Sequence, residues 1–167
     1  MDYCEGPIAV RYPRGAADDT LPESRTPIRL GKGELIKEGS DIALIGYGST
    51  VAMDYKAALE LSKQGVDAAV FNARFAKPLD ADAIIELARK TGRMIVAEEN
   101  AKPGGIGEAI AALLRENGLS QVHIDTLALP DRFIEHGSQN ELLEEIGLTP
   151  AKIVERAASL CNQRSMR

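Results

Sequence analysis

Two arginines flank a proline in the sequence Arg-Tyr-Pro-Arg-Gly at residues 11–15. Pro13 fixes the backbone φ angle and Gly15 permits a close backbone approach, so Arg11 and Arg14 are predicted to lie on a short, rigid turn. Guanidinium groups suit carboxylate and phosphate dianions because their donors match two oxygens at once. The residues alone leave two interpretations open, an anion-binding arm or a surface salt bridge.

Two glycine-rich turns each follow an apolar run and precede a helical pattern. The first is Gly-Tyr-Gly-Ser-Thr at residues 46–50, and the second is Gly-Gly-Ile-Gly at residues 104–107. Backbone N–H groups at a helix start can hold a phosphate, but the first turn lacks both the third glycine of the dinucleotide fingerprint and the Gly-Lys-Ser/Thr of a P-loop. We therefore expect a tight turn capped by Ser49 or Thr50 at the first position. At the second we expect close packing of a helix against a strand, with anion binding as the alternative at both.

Paired carboxylates and two histidines are the candidates for acid–base chemistry. Glu98 and Glu99 follow an apolar strand and could form a general acid/base pair or half of a metal site, yet adjacent residues of an extended chain point to opposite faces. We expect one to pair with a cation from a loop and the other to be solvated. His123 is expected on a sheet face. His136 is a candidate proton carrier, but no nucleophile motif accompanies it, and an inter-domain hydrogen bond is the favoured interpretation.

Composition and charge exclude several functional classes. The 167 residues include 20 Lys and Arg against 25 Asp and Glu, a net charge of -5, so there is no excess of positive charge for binding nucleic acid. Cys4 and Cys161 lack the spacing of a disulfide framework or a zinc site. The apolar runs fall short of the ~20 residues of a membrane span, and the N-terminus lacks the pattern of a signal peptide. We therefore expect a cytoplasmic protein that binds neither nucleic acid nor membrane.

Strand and helix patterns alternate from residue 33 onwards. The strands are predicted at residues 34–36, 42–45, 66–71, 94–97 and 122–129, with helical patterns between them and two further helices at 138–146 and 150–160. This alternation predicts an α/β fold in three layers: a mainly parallel five-stranded sheet with one antiparallel strand and helices on both faces. Residues 1–30 hold half of the eight prolines and are predicted to be an extended inter-domain linker or arm, with the domain at 31–167.

The loops after the parallel strands are predicted to share one edge of the sheet, where ligands and partners commonly meet such folds. These loops are rich in charged and aromatic residues, whereas the loops at the opposite edge are plain turns. We expect an inter-domain or inter-subunit face with its side chains near one another, formed by Arg74, Phe75, Glu98, Asp131, Arg132, Phe133 and His136.

Five motifs together resemble the C-terminal part of the 1-deoxy-D-xylulose-5-phosphate synthase family, in order and over about the whole chain. They are Gly-Pro-Ile-Ala-Val-Arg-Tyr-Pro-Arg-Gly at 6–15, Leu-Gly-Lys-Gly-Glu at 30–34, Asn-Ala-Arg-Phe-Ala-Lys-Pro-Leu-Asp at 72–80, Glu-Glu-Asn at 98–100 with Gly-Gly-Ile-Gly at 104–107, and Leu-Pro-Asp-Arg-Phe-Ile-Glu-His-Gly-Ser at 129–138. The Glu-Glu-Asn and Gly-Gly-x-Gly motifs also suit transketolase and the β subunits of 2-oxo acid dehydrogenases.

The resemblance implies a transketolase C-terminal-type domain of a larger transferase that uses thiamin diphosphate and Mg²⁺. Such an enzyme condenses pyruvate with glyceraldehyde 3-phosphate and loses CO2, the first step towards isoprenoid precursors in the non-mevalonate pathway. The family's cofactor motif and catalytic histidines lie in two preceding domains and have no match here, so no catalytic residue, metal ligand or independent activity is expected.

The resemblance also assigns one residue role and the partners of the domain. Arg14 matches the arginine that grips the triose phosphate group, together with a neighbouring domain. The implied partners are the remaining domains and a second copy in a homodimer. The alternative function is a free-standing nucleotide-binding or regulatory α/β module that uses residues 46–50.

Overall fold

A five-stranded sheet forms the centre of the computed structural model, which describes residues 5–12, 18–22 and 26–162. The strands are β1 (Glu34–Lys37), β2 (Ile42–Tyr47), β3 (Ala68–Asn72), β4 (Arg93–Ala101) and β5 (His123–Leu129). Their order is β1-β3-β2-β4-β5, with β1 antiparallel to β3 and every other neighbouring pair parallel. The predicted sheet, mainly parallel with one antiparallel strand, is confirmed.

Helices cover both faces of the sheet, which confirms the three predicted layers. The helices of the described residues are α1 (Thr50–Lys63), α2 (Ala81–Thr91), α3 (Ile106–Glu116), α4 (Gln139–Ile146) and α5 (Pro150–Asn162). The apolar sides of α1, α4 and α5 pack on one face, and those of α2 and α3 pack on the other. In the part of the chain that the structure describes, none of the helices is long and apolar enough to cross a bilayer.

The central strand β2 is buried on both faces, as its unbroken apolar run predicts. Ala43 and Ile45 face α2 and α3, whereas Ile42 and Leu44 face α1 and α5, and all four are 0% exposed. Burial on both sides fixes the position of this strand, so the turn that leaves its carboxyl end starts from a rigid point.

The chain leaves β2 and β4, which lie side by side, in opposite directions. From β2 it passes through α1 to β3 on one side, and from β4 it passes through α3 to β5 on the other. Connections that diverge from neighbouring parallel strands open a crevice at their carboxyl ends. Tyr47 of β2 and Glu98 of β4 are paired in register at this position.

Two buried carboxylates attach the segment before β1 to the sheet. Glu34 accepts hydrogen bonds from Thr26, at 2.6 Å from the backbone N–H, and Asp80 accepts from the Lys32 ammonium and the Gly33 N–H, each at 3.0 Å. Asp80 also accepts from the N–H of Ala83 and caps α2. For that reason α2 begins at Ala81, although the Pro-Leu sequence at residues 78–79 predicts a helix start at Pro78.

Candidate functional site

The Glu-Glu-Asn motif lies within β4, which continues to Ala101 instead of ending at Ala97 as predicted. The pairing of β4 with β5 shifts in register between these two residues. Glu98 is fully buried, whereas Glu99 and Asn100 are half-buried. The extended backbone therefore turns the two glutamates to different sides, as the sequence predicted for adjacent residues of a strand.

The Glu98 carboxylate binds the first turn of α3. It accepts hydrogen bonds from the backbone N–H groups of Ile106 and Gly107, both at 2.9 Å, and from the side-chain amide of Asn100 at 3.0 Å. These N–H groups at a helix N-terminus form the kind of position that holds a phosphate in other proteins. Here the chain supplies the anion itself, so the partners of Glu98 are amide groups and not the loop cation that was expected.

The glycines of the second turn make room for this arrangement. A Cβ atom at Gly105 would lie 2.5 Å from Oε1 of Glu98, and one at Gly107 would lie 2.6 Å from the side chain of Thr126 on β5. Contacts of that length are impossible without displacement of the neighbouring atoms. The turn therefore has the close helix–strand packing that the sequence favoured, and it surrounds an internal carboxylate.

The first glycine-rich turn is fastened by Thr50. Its hydroxyl accepts from the N–H of Tyr47 at 3.0 Å and donates to the carbonyl of Ala97 at 2.6 Å, so it joins the end of β2 to β4. Ser49 occupies the N-cap position of α1 but makes no side-chain cap hydrogen bond. A Cβ atom at Gly46 would lie 2.6 Å from Cα of Val51, so only glycine allows α1 to begin this close to β2.

Asp54 is a buried acid on α1 that the sequence interpretation overlooked. Its side chain is 0% exposed, and neither carboxyl oxygen has a hydrogen-bond partner in the described part of the chain. Burial raises its pKa well above the ordinary value, because an apolar environment favours the neutral form of the acid. The signal was present in the sequence: position 54 follows Val51 by three residues and precedes Leu61 by seven, on the apolar stripe of the helix.

Arg74 attaches the N-terminal segment to the sheet. It has a left-handed backbone (φ 55), and its guanidinium lies 2.6 Å from the buried carboxylate of Glu34. It also donates to the backbone carbonyls of Thr26, at 3.0 Å, and Pro27, at 3.4 Å. Its charge is therefore neutralised inside the chain, and its place on an interface stays a prediction.

The loop after β5 is the most exposed part of the predicted face. Asp131, Arg132, Phe133 and His136 are all exposed, and the Phe133 side chain has the full exposure of a ring in water. Arg132 lies 3.3 Å from Glu145 of α4, and both side chains are at least half exposed. These four residues leave their side chains available to a partner.

A groove of about 1210 Å³ runs between the N-terminal arm and the carboxyl edge of the sheet. It brings together residues from the loops after β2 and β3 and from the end of β4, and its lining includes Tyr47, Arg74, Phe75 and Glu99. Glu98 is buried beneath this edge, and the lining does not include the four exposed residues of the loop after β5. The structure thus separates the predicted face into a groove, a buried carboxylate and an exposed loop.

The arm side of the groove presents apolar side chains to solvent. Ile8, Val10 and Tyr12 alternate along residues 8–12 with exposed fractions of 46%, 74% and 82%. Exposed apolar side chains grouped in this way are typical of surfaces that contact another protein segment. Arg14 lies outside the described residues.

Arg11, the first arginine of the Arg-Tyr-Pro-Arg-Gly motif, lies within the described residues and binds the sheet domain. Its guanidinium donates through Nη1 to the Asn100 side-chain carbonyl and through Nη2, at 3.0 Å, to the backbone carbonyl of Glu99. Both acceptors are neutral, so this contact is neither of the two alternatives that the sequence left open.

The described residues hold no cluster of carboxylate, imidazole or thiol groups that could bind Mg²⁺. A hard cation that bridges a diphosphate needs several converging oxygen ligands. Across residues 5–12, 18–22 and 26–162, no three His, Cys, Asp or Glu side chains come together as a metal site. The carboxylate of Glu98, which is buried beneath the carboxyl edge of the sheet, already accepts hydrogen bonds from two N–H groups.

Comparison with known proteins identifies the family. The family model of the transketolase C-terminal domain matches residues 31–153. 1-Deoxy-D-xylulose-5-phosphate synthase 1 of Geobacter metallireducens is 47% identical over 153 residues, which are 91% of this chain and 24% of that protein. The 1-deoxy-D-xylulose-5-phosphate synthase of Desulforudis audaxviator is 44% identical over 162 residues, 96% of this chain and 26% of that protein. The chain spans about a quarter of the length of the curated relatives it matches.

Solved structures agree with this assignment. A split-gene transketolase, solved as an inactive tetramer of its beta chain, superposes with a TM-score of 0.77. The identity is 31%, over 85% of this chain and 47% of that one. A transketolase of Pichia stipitis shares the fold, with a TM-score of 0.55 and 17% identity over 81% of this chain and 18% of that one. The chain is therefore a member of the transketolase C-terminal domain family.

Proposed function

We propose that this chain is the C-terminal domain of a 1-deoxy-D-xylulose-5-phosphate synthase, which condenses pyruvate with glyceraldehyde 3-phosphate and releases CO2. The observation that carries the proposal is the 47% identity to the Geobacter metallireducens synthase over 91% of this chain. The 44% identity to the Desulforudis audaxviator enzyme agrees with it. The parent enzyme would be cytoplasmic and would supply isoprenoid precursors.

This domain and the rest of the enzyme would bind different groups. Thiamin diphosphate and Mg²⁺ would bind to the other three quarters, since the described residues of this chain offer no cluster of metal ligands. This domain would contribute Arg14 as the residue that holds the phosphate of the triose. A guanidinium suits that task since it forms two parallel hydrogen bonds with phosphate oxygens.

The exposed surface of the carboxyl edge would contact the remaining domains and a second copy of the enzyme. The groove and the apolar arm residues supply one part of this surface, and the loop with Asp131, Arg132, Phe133 and His136 supplies the other. An aromatic ring with full exposure is a suitable anchor for a partner pocket. Phe133 would be that anchor in a homodimer.

The isolated chain would be inactive. The similar split-gene transketolase was solved as an inactive tetramer of its beta chain, and the similarity covers 85% of this chain. By analogy, self-association of this chain would not give it activity.

A chimeric enzyme tests the proposed function. In this chimeric enzyme the present chain replaces the matching C-terminal quarter of the Geobacter metallireducens synthase. With thiamin diphosphate, Mg²⁺, pyruvate and glyceraldehyde 3-phosphate it should release CO2 and form 1-deoxy-D-xylulose 5-phosphate. The isolated chain and the relative without its C-terminal quarter serve as controls and should form none.

Two results would contradict the proposal. One is product formation by the isolated chain above a no-protein blank. The other is a chimeric enzyme that is folded, by its circular dichroism and sedimentation, and yet forms no product.

A further inference from the structure

Arg11 joins the N-terminal arm to the sheet domain. Residues 7–12 have no regular secondary structure, and most of this segment is exposed. Within the described residues, the hydrogen bonds from residues 5–12 to residues 26–162 are those of the Arg11 guanidinium, to the Asn100 side chain and to the carbonyl of Glu99. A single side chain therefore supplies the hydrogen bonds between this part of the arm and the domain.

Asn100 connects that guanidinium to the interior of the fold. Its carbonyl oxygen accepts from Arg11, while its amide donates to Glu98 at 3.0 Å. Glu98 in turn accepts from the N–H groups of Ile106 and Gly107. An unbroken chain of hydrogen bonds thus leads from the exposed arm to the first turn of α3.

The amide of Asn100 serves both of its neighbours because it carries an acceptor and a donor, which a carboxylate does not. An aspartate would accept from Arg11 but would have no donor for Glu98, and it would place a second negative charge beside that buried carboxylate. This requirement accounts for the asparagine at the third position of the Glu-Glu-Asn motif, because the glutamate at the first position accepts hydrogen bonds from α3 and from that asparagine.

The contact depends on the shape of the guanidinium more than on its charge. Both acceptors are neutral, and in the described part of the chain Arg11 forms no ion pair with a carboxylate. A guanidinium presents several donors in a fixed plane and can reach a side-chain amide and a backbone carbonyl together, whereas a lysine ammonium acts as a point charge. Lysine should therefore not replace Arg11, although it keeps the positive charge.

We propose that Arg11 and Asn100 form an arm latch that positions the phosphate-binding arginine of the active enzyme. Arg14 follows Arg11 by three residues, which is about 11 Å of fully extended chain at most. Fixing Arg11 at the end of β4 consequently limits the region that Arg14 can reach. Arg11 is a positioning residue, and this part of the inference rests on the proposed function.

The latch itself can be tested on the present chain, independently of any activity. The sequence contains no tryptophan, so Val10→Trp introduces a unique fluorescent reporter in the arm. In this background Arg11→Lys and Asn100→Ala should lower the fluorescence anisotropy towards that of a free segment. Arg132→Lys and Glu99→Gln are the matched controls and should leave it unchanged. Unchanged anisotropy in both latch variants would overturn the proposal.

The positioning role can be tested in the chimeric enzyme. Arg11→Lys should raise the KM for glyceraldehyde 3-phosphate about tenfold, corresponding to about 1.4 kcal/mol of lost binding, and leave the KM for pyruvate unchanged. A merely structural defect would change both constants or kcat. Lower anisotropy together with an unchanged KM for the triose phosphate would overturn the positioning role. An inactive parent chimera would instead count against the proposed function. In that case the anisotropy result alone would decide whether the latch exists.

Discussion

Asp54 shows at the scale of one residue what burial does to a carboxyl group. Its oxygens have no hydrogen-bond partner among the described residues, and burial raises its pKa well above the model-compound value of 3.8. The folded state therefore holds a proton that the unfolded chain releases above about pH 4. The stability of the fold should fall as the pH rises between the two pKa values, by up to about 1.4 kcal/mol per pH unit.

Asp54→Asn tests this pH dependence. The amide has nearly the same shape and does not ionise, so the variant should lose this fall in the free energy of unfolding and should exceed the parent at pH 8. Asp82→Asn is the control, because the Asp82 side chain is 95% exposed. Urea unfolding from pH 4 to pH 9 measures the difference. An equal dependence on pH in the parent and in Asp54→Asn would show that Asp54 is not a protonated buried acid.

Glu98 and Glu99 show how far the sequence alone predicts the site. The alternation of an extended chain was enough to separate Glu98 from Glu99, and it did so correctly. The partners of Glu98 were not predictable, because the N–H groups it binds come from Ile106 and Gly107, eight and nine residues later. They reach it only through the packing of α3 against β5, which is a tertiary contact.

At the scale of elements, the start of α3 depends on a carboxylate from another strand. Glu98→Gln keeps the size of the side chain but removes the charge and one of its two acceptors, so one N–H group of the helix loses its partner. The free energy of unfolding should fall by about 1.5–3 kcal/mol, the usual range for a hydrogen bond to a charged group.

Glu99→Gln is the matched control for this prediction. The Glu99 carboxylate is half-buried, and among the described residues it accepts one long hydrogen bond, 3.4 Å, from Gln139. The control should change stability by less than about 0.5 kcal/mol. If the two variants were equally stable in urea unfolding, the cap of α3 would not depend on Glu98.

The sequence predicted the type and order of the elements better than their ends. Every predicted strand from residue 34 onwards is present, since apolar runs and helical periodicity depend on local residues. The errors lie at element ends where a side chain forms hydrogen bonds with other parts of the chain. Asp80 moves the start of α2 to Ala81, and the hydrogen bonds of Asn100 and Glu98 lie on the extended end of β4.

At the scale of the whole molecule, the exposed loop after β5 is the proposed contact with a second copy. Phe133→Asp places a charge on the anchor and should weaken the dimer of the chimeric enzyme by about 2 kcal/mol, which is roughly a 30-fold higher Kd. The isolated fold should be unaffected because the ring is fully exposed. Sedimentation velocity over a range of concentrations measures this.

Leu59→Asp is the control at this scale. Leu59 is also an exposed apolar residue, with 47% exposure, but it lies on α1, away from the loop after β5. Its substitution should leave the dimer intact. An unchanged Kd for Phe133→Asp, or an equal loss with Leu59→Asp, would remove the loop from the interface.

The substrate dependence of Arg14→Ala in the chimeric enzyme tests the central proposal most directly. Loss of a charge-assisted contact of about 1.5–3 kcal/mol should raise the KM for glyceraldehyde 3-phosphate about 10- to 150-fold, while the KM for pyruvate stays within a factor of two of the parent, roughly 0.4 kcal/mol. Arg29→Ala, at an exposed arginine before β1, should change neither constant. Equal weakening of both substrates, or no change in either, would contradict a role of this domain in holding the triose phosphate.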